Sequence, residues 1–127
     1  MASVADLRFP PSLRLRKRAE FDRVYQGGER HSSANMTVIF LAAAGRSGSR
    51  VGFTAGKALG GAVERNRIRR RLREAVRRHL RELKTPAEIV FHPRKSALRA
   101  DFSQLEAEVM RALATINKRL SRQAEPK

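Results

Sequence analysis

The sequence has no cysteine and no tryptophan, a single tyrosine, and only 12 acidic residues against 28 basic ones. The missing cysteine excludes disulfides, thiol nucleophiles and cysteine-ligated zinc, and it fits a reducing compartment. No apolar run approaches the roughly 20 residues needed to span a bilayer. The opening stretch, MASVADLRFPPSLRLRKR, has no apolar core of signal-peptide length. A cytoplasmic protein with no membrane segment is therefore expected. Binding to a membrane surface is the weaker option, because the most basic stretch carries neither Trp nor Phe.

Catalytic groupings are scarce as well. Asp6, Asp22 and Asp101 are scattered, and none sits with a glutamate in the cluster that a nuclease metal pair requires. His31, His79 and His92 are isolated from one another. No nucleophile–base pair or phosphate-binding P-loop is recognisable. The chain alone is not expected to catalyse a reaction.

What is present is positive charge on a chain that can fold. The 127 residues carry a formal charge of +16, yet 41% of them are hydrophobic, close to ordinary globular usage. One domain with its own core and a polyanionic partner follows. The charge is concentrated in KALGGAVERNRIRRRLREAVRRHLR, Lys57 to Arg81, where nine arginines and one glutamate lie between Arg65 and Arg81.

Residues 1–12, with Pro10-Pro11 and no periodic pattern, read as a flexible arm, residues 13–120 as the folded domain, and 121–127 as a tail. A short helix is predicted from about Arg18 to Gln26, with Phe21, Val24 and Tyr25 on one face and Gly27-Gly28 as its stop. Glu29 to Ser33 suits a short edge strand, and MTVIFL (Met36 to Leu41) is the clearest strand. RVGFTA (Arg50 to Ala55) is predicted to return beside it as an antiparallel hairpin, with Val51, Phe53 and Ala55 on one side and Gly52 and Thr54 on the other. The basic helix follows, at about Ala62 to Leu83, closed by Thr85-Pro86. Glu88 to His92 is a further strand and Arg94 to Ala100 a basic connection. A last helix starts after Asp101 and buries Phe102, Leu105, Val109, Leu113, Ile116 and Leu120, with fraying from Lys118 onward. The order αβββαβα describes an α+β fold: a two-layer sandwich of three helices on a small sheet of about four strands.

On a helical wheel, Ile68, Leu72, Ala75, Val76, His79, Leu80 and Leu83 form one apolar arc, facing away from Arg67, Arg70, Arg71, Arg77, Arg78 and Arg81. Glu74 alone leaves little i,i+4 pairing to offset that repulsion, which favours nucleic-acid contact over a merely solvated face. Arg65 and Arg69 project toward the apolar side. Either they snorkel, or the first turn stands clear of the sheet and aims them at a ligand. The second option fits Gly60-Gly61 and makes the helix N-terminus, with Arg65, Asn66 and Arg67, a phosphate-binding corner approached by Lys57. His79, within the arc, reads as a satisfied half-buried residue. His92 ends a strand beside Arg94 and Lys95, within reach of a phosphate. Phe21, Val24 and Tyr25 at helical spacing read by themselves as core.

The run Arg65-Asn66-Arg67-Ile68-Arg69-Arg70, preceded by Lys57 and Ala62-Val63 and followed by Arg73-Glu74, resembles the signature of the bacterial ribonuclease P protein subunit. The likeness covers roughly residues 13–120. It includes Leu15 followed by Phe21, Val24, Tyr25 and Gly28 at the family spacing, the Val51-Gly52 and Ile89-Val90 strands, and the closing helix. It departs at Ala58, where many relatives carry a second lysine, and at Gly61, often an asparagine. The resemblance implies a mixed sheet with the basic helix in a left-handed crossover between parallel strands, a hand that only about 2% of such crossovers adopt. It further implies a subunit that assists a catalytic RNA in removing the 5′ leader of precursor tRNA. Arg65, Asn66, Arg67, Arg69, Arg70 and Arg73 would bind ribonuclease P RNA. Phe21, Tyr25, Phe40 and Lys57 would bind the single-stranded leader, and Mg2+ would act at the RNA's own site. The protein would be monomeric without RNA. The alternatives are a structural, ribosomal-type RNA-binding protein and, less favoured, a free-standing nuclease.

Overall fold

The computed structural model describes residues 14–43 and 48–124, with side chains through residue 122. The N-terminal arm expected over 1–12 lies outside the described residues. Three helices, α1 (Arg18–Gly27), α2 (Ala62–His79) and α3 (Phe102–Ala124), accompany four strands, β1 (Glu29–Ser32), β2 (Met36–Ala42), β3 (Arg50–Phe53) and β4 (Ala87–Pro93). The α+β class and the element order are as the sequence led one to expect.

The sheet order is β1-β2-β4-β3. The expected hairpin of β2 with β3 is therefore not formed. β4 lies between them, antiparallel to β2 and parallel to β3, with Val51 opposite Ile89 and Phe53 opposite Phe91. The reason is burial. All of β4 except His92 is buried, so this strand needs neighbours on both edges and layers on both faces. The spacing between MTVIFL and RVGFTA does not tell which strand the second run pairs with. The β3–α2–β4 connection is thereby a crossover between parallel strands.

Strand alternation sends side chains to two unlike faces. Met36, Val38, Phe40, Val51, Ile89 and Phe91 join α2 and α3 in the main core. Ile39 and Val90 point the other way and meet Leu15 and Val24, with Phe21 and Tyr25 packed at the side. On α3, Leu105, Val109, Leu113, Ile116 and Leu120 are buried as the period predicted. That buried stripe carries the helix on to Ala124, so the fraying expected from Lys118, with a tail from 121, is corrected.

Polar groups pin the layers together. The buried Glu108 carboxylate on α3 accepts hydrogen bonds from the Asn35 N–H (2.9 Å), the Asn35 side-chain amide and Ser33 Oγ, holding the β1–β2 turn. The α-helical part of α2 ends at His79 rather than Leu83 and tightens into a 3-10 turn over Leu80–Glu82. Asn117 of α3 holds that turn by donating to Glu82 O (2.8 Å) and accepting from the Lys84 N–H (2.6 Å).

Candidate nucleic-acid interface

A 3-10 turn over Lys57–Leu59 leads to Gly60, whose φ of 125° lies in a region that favours glycine, and this bend aims the chain into α2. Glu64 accepts a hydrogen bond from the Gly61 N–H (3.0 Å). A carboxylate of the protein thus occupies part of the corner expected to hold phosphate. Lys57, Asn66, Arg67 and Arg70 are exposed, and Arg65 is half-buried. Arg65 Nε donates to Gly61 O (3.4 Å), and Arg69 Nη1 donates to Asn66 Oδ1 (2.8 Å).

The two halves of α2 differ. In the later turns Glu74 is held by Arg77 (Nε, 3.0 Å) and Arg78 (Nε, 3.0 Å), and Arg78 lies 4.9 Å from the Phe102 ring centre. These bonds hold the Glu74 carboxyl below its ordinary range. Arg71, expected to face outward, instead donates to Ala97 O (3.3 Å) and Ala100 O, stitching α2 to the turn before α3. Three of the arginines expected to face freely outward, Arg71, Arg77 and Arg78, are therefore tied to the protein. The charge left for a partner is concentrated in the first half, on Arg65, Arg67, Arg69, Arg70 and Arg73.

Arg69 and Arg73 neither snorkel nor point straight out. They line a cavity of about 110 Å³ at the β3 edge, shared with Arg14, Leu15, Phe21, Val51, Gly52 and Phe53. Residues 14 and 15 reach this edge because the Leu15 N–H donates to Val51 O (3.0 Å), extending the sheet by one bridge. Arg73 sits 5.9 Å from the Phe53 ring centre. Its Nε is buried with no hydrogen-bond partner among the described residues. Burial first, then the charges of Arg14 and Arg69, push its pKa down. Three guanidiniums converging on one cavity repel one another, and an anion placed there would relieve that repulsion.

Beside the cavity, α1 lies across the sheet face. Phe21 packs onto Gly52 so closely that a Cβ there would fall 2.5 Å from the ring. Any larger residue would lift the ring off the sheet. The opposite flank of α1 is anchored by charge: Arg50 Nη1 bonds Glu20 (2.7 Å), Arg50 Nη2 bonds the fully buried Glu88 (3.1 Å), and Arg23 bonds the other Glu88 oxygen. Burial works against the charge on Arg50, but the two carboxylates outweigh it and raise its pKa. The Arg16 and Lys17 N–H groups, with Arg50, lower Glu20 to about 2. These contacts leave Phe21 and Tyr25 half-buried, on the flank that faces Ile39 and Val90.

Phe40 is not on this face. It is 1% exposed, packs with α2 and α3, and lies under Arg119, 5.9 Å from its ring centre. The expectation of Phe40 as a leader-binding aromatic is corrected. Side chains alternate along a strand, so the β2 residue on the side of Phe21 and Tyr25 is its neighbour Ile39. Arg14 and the Glu20–Arg50–Glu88–Arg23 chain carried no sequence signal, since none belongs to a local pattern, and the sequence did not mark Gly52 as the seat of the Phe21 ring. Only the close pairing of Gly52 with Val51 in the family-like strand signalled that position.

The fold and the groove together define a class: a small α+β RNA-binding protein with half-exposed rings beside an arginine-rich helix edge. Comparison with known proteins narrows this. The family model described as Ribonuclease P matches residues 9–117. A ribonuclease P protein component from Chloroflexus aggregans is 48% identical over 101 residues, covering 79% of this chain and 74% of its own. One from Brucella melitensis is 42% identical over 117 residues, covering 86% and 83%. The RNase P protein of Staphylococcus aureus superposes with a TM-score of 0.72 at 26% identity, covering 84% of this chain and 95% of its own. That of Thermotoga maritima gives 0.71 at 29%, covering 79% and 94%. The chain belongs to the ribonuclease P protein family, and its role is that of a protein subunit in tRNA processing.

Proposed function

We propose that the chain binds ribonuclease P RNA through the first half of α2 and the single-stranded 5′ leader of precursor tRNA through the groove beside α1. The RNA performs the endonucleolytic cleavage. Arg65, Asn66, Arg67 and Arg70, exposed or half-exposed along one helix edge, suit backbone phosphates of a folded RNA. Arg69 and Arg73, turned toward the groove, stand where the two RNAs would meet. Phe21 and Tyr25 offer ring faces for unpaired bases, a contact worth about 1–3 kcal/mol per base and tolerant of sequence. Lys57 lies at the approach to the helix. The single observation that carries this reading is the cavity where Arg69, Arg73 and Phe21 meet, since it joins phosphate-binding and base-stacking groups in one place.

On this reading the protein's work is electrostatic and positional, in a cytoplasmic ribonucleoprotein. It lowers the repulsion between two RNAs and fixes the leader, which raises the apparent affinity for Mg2+ at the RNA's site. The carboxylates that are buried in the protein are committed elsewhere: Glu88 to Arg23 and Arg50, and Glu108 to Ser33 and Asn35. Reconstitution with a bacterial ribonuclease P RNA at low magnesium tests the proposal. Stimulated cleavage of precursor tRNA is expected, with none by the protein alone. No stimulation would overturn the reading in favour of a ribosomal-type RNA-binding protein, and cleavage without RNA would revive a nuclease.

A further inference from the structure

The two flanks of α3 differ in charge. At about 100° per residue, Glu106 and Asn117 fall on the flank toward α2. There Glu106 meets Arg78 (3.5 Å) and His79 (2.7 Å), and Asn117 holds the turn after α2. Arg111, Lys118, Arg119 and Arg122 fall on the other flank, toward β1. Arg111, Lys118 and Arg122 are exposed. Arg119 is a tether: it donates to Arg30 O (3.3 Å), meets Glu29 (3.4 Å) and covers the buried Phe40 ring. The acids of this flank are committed, Glu29 to Arg119 and the buried Glu108 to Ser33 and Asn35. His31, opposite Val38 and so on the helix side of β1, adjoins the row. Burial, then the charges of Arg119 and Arg111, lower its pKa below the ordinary value.

A merely solvated helix face usually mixes signs, as the α2-facing flank does. A row of cations with its acids already bonded instead suits a polyanion. From Arg111 to Arg122 the row rises about 16 Å at 1.5 Å per residue, held straight by the helix. The ring nearest to it, Phe40, is 1% exposed and cannot stack on a base. Rigid cations without a stacking ring fit the phosphates of a duplex, which is recognised by shape and backbone, better than unpaired bases.

Position decides where that duplex comes from. β1 and β3 are the two edges of the sheet, and α2 packs over β3 while α3 packs over β2. Arg69 and Arg73 of α2 turn to the β3 edge and the α3 row to the β1 edge. The two rows face away from each other across helices whose axes stand about 8–10 Å apart, so each needs its own backbone. The α3 row also lies on the opposite face of the sheet from the α1 groove. It therefore belongs with the partner of α2 and not with the leader.

We infer that Arg111, Lys118 and Arg122 bind the backbone of a second, double-stranded segment of the RNA subunit, so that the protein bridges two parts of that RNA. The inference rests on the reading that α2 binds ribonuclease P RNA. Its test replaces these three residues together by alanine, which exposed helix positions tolerate, and leaves Arg119 to hold β1. Between about 50 and about 200 mM salt, the wild-type protein should lose about 40-fold more affinity for the RNA subunit than the triple variant. That factor is three duplex contacts at a log–log slope of about 0.9 each. Preference for a long leader over a short one should not change. A radical-generating chelate on Lys118→Cys, the only cysteine in such a chain, should cut a helical segment of the RNA subunit. The same chelate on Val63→Cys, exposed at the start of α2, should cut a different segment. If the wild-type protein does not bind the RNA subunit, the functional reading itself fails. If it binds and the triple variant keeps its affinity and salt dependence, the second contact is overturned while that of α2 stands. Cutting from position 118 that is absent, confined to the tRNA, or identical to that from position 63 would overturn it as well.

Discussion

Among the described residues, 20 buried hydrophobic side chains close a continuous core on the α2/α3 face of the sheet, while the buried hydrophobic cluster on the α1 face has four, Leu15, Val24, Ile39 and Val90. The same strands serve both faces, so the difference is one of cover. Two long helices seal the first, while ten residues of α1 lie across part of the second, anchored by Phe21 on Gly52 and by the Glu20–Arg50–Glu88–Arg23 chain. Stability should reside on the sealed face and recognition on the open one, because rings left half-exposed cost folding energy unless a ligand covers them.

The sharpest way to break that comparison is one truncation on each face. Phe91→Ala is expected to cost about 3–5 kcal/mol, the usual range for a buried phenylalanine. Phe21→Ala should cost about 1–2 kcal/mol, since its ring is only partly removed from water, while leader affinity falls more steeply. Chemical denaturation and substrate titration of both variants provide the check. Equal losses of stability would mean that the α1 face is core after all.

A smaller effect is expected at Gly52. Gly52→Ala places a methyl group against the Phe21 ring, an overpacking that typically costs about 1–3 kcal/mol. If the ring lifts away, discrimination between long and short leaders should decline while affinity for the RNA subunit holds. Parallel losses in both would show that the groove and α2 are not separable.

The two halves of α2 extend the comparison. Replacing Arg69 and Arg73 together with alanine should make the salt dependence of RNA affinity shallower, by about 0.7–0.9 in log–log slope for each phosphate no longer neutralised. Replacing Arg77 and Arg78 should move it less, as Glu74 already neutralises part of their charge. Equal slopes in the two double variants would refute the division of the helix.

How much of this was legible in the sequence follows from the range of each signal. The α2 wheel was readable because Ile68, Leu72, Ala75 and Val76 repeat within a few turns, and all four are fully buried. β3 and β4 meet only through a crossover, so nothing local marked β4 as the central strand. The choice between Ile39 and Phe40 shows another limit. Both are buried β2 residues, and the face each takes depends on which neighbouring layer is built there. Arg71 and Arg73 illustrate the same point on a helix. Their sequence surroundings are equally basic, yet one binds the carbonyls of Ala97 and Ala100 and the other lines the groove.

The smallest predicted effect separates the two faces by pH. On the open face, hydrogen bonds from the Arg16 and Lys17 N–H groups, with Arg50, hold Glu20 at about 2 against an ordinary 4.5. A carboxyl whose folded pKa is depressed contributes stability that is complete above the unfolded value and lost as pH falls from about 4.5 toward 2. On the sealed face, His79 lies 2.7 Å from both Glu82 and Glu106, and those bonds raise its pKa above 6.5. Its contribution has the opposite sign: complete below 6.5 and lost as pH rises through the higher folded value. Melting temperature against pH should therefore fall on the acid side partly through α1 and on the neutral-to-alkaline side through the α2–α3 junction. Glu20→Gln is expected to flatten the acid limb alone, and His79→Gln chiefly the alkaline one, with a smaller acid-side change because the His79 bond also lowers the Glu106 carboxyl. An acid limb unchanged in Glu20→Gln would show that this carboxylate does not hold α1 down, and the anchoring of the open face would then rest on Glu88 and Phe21.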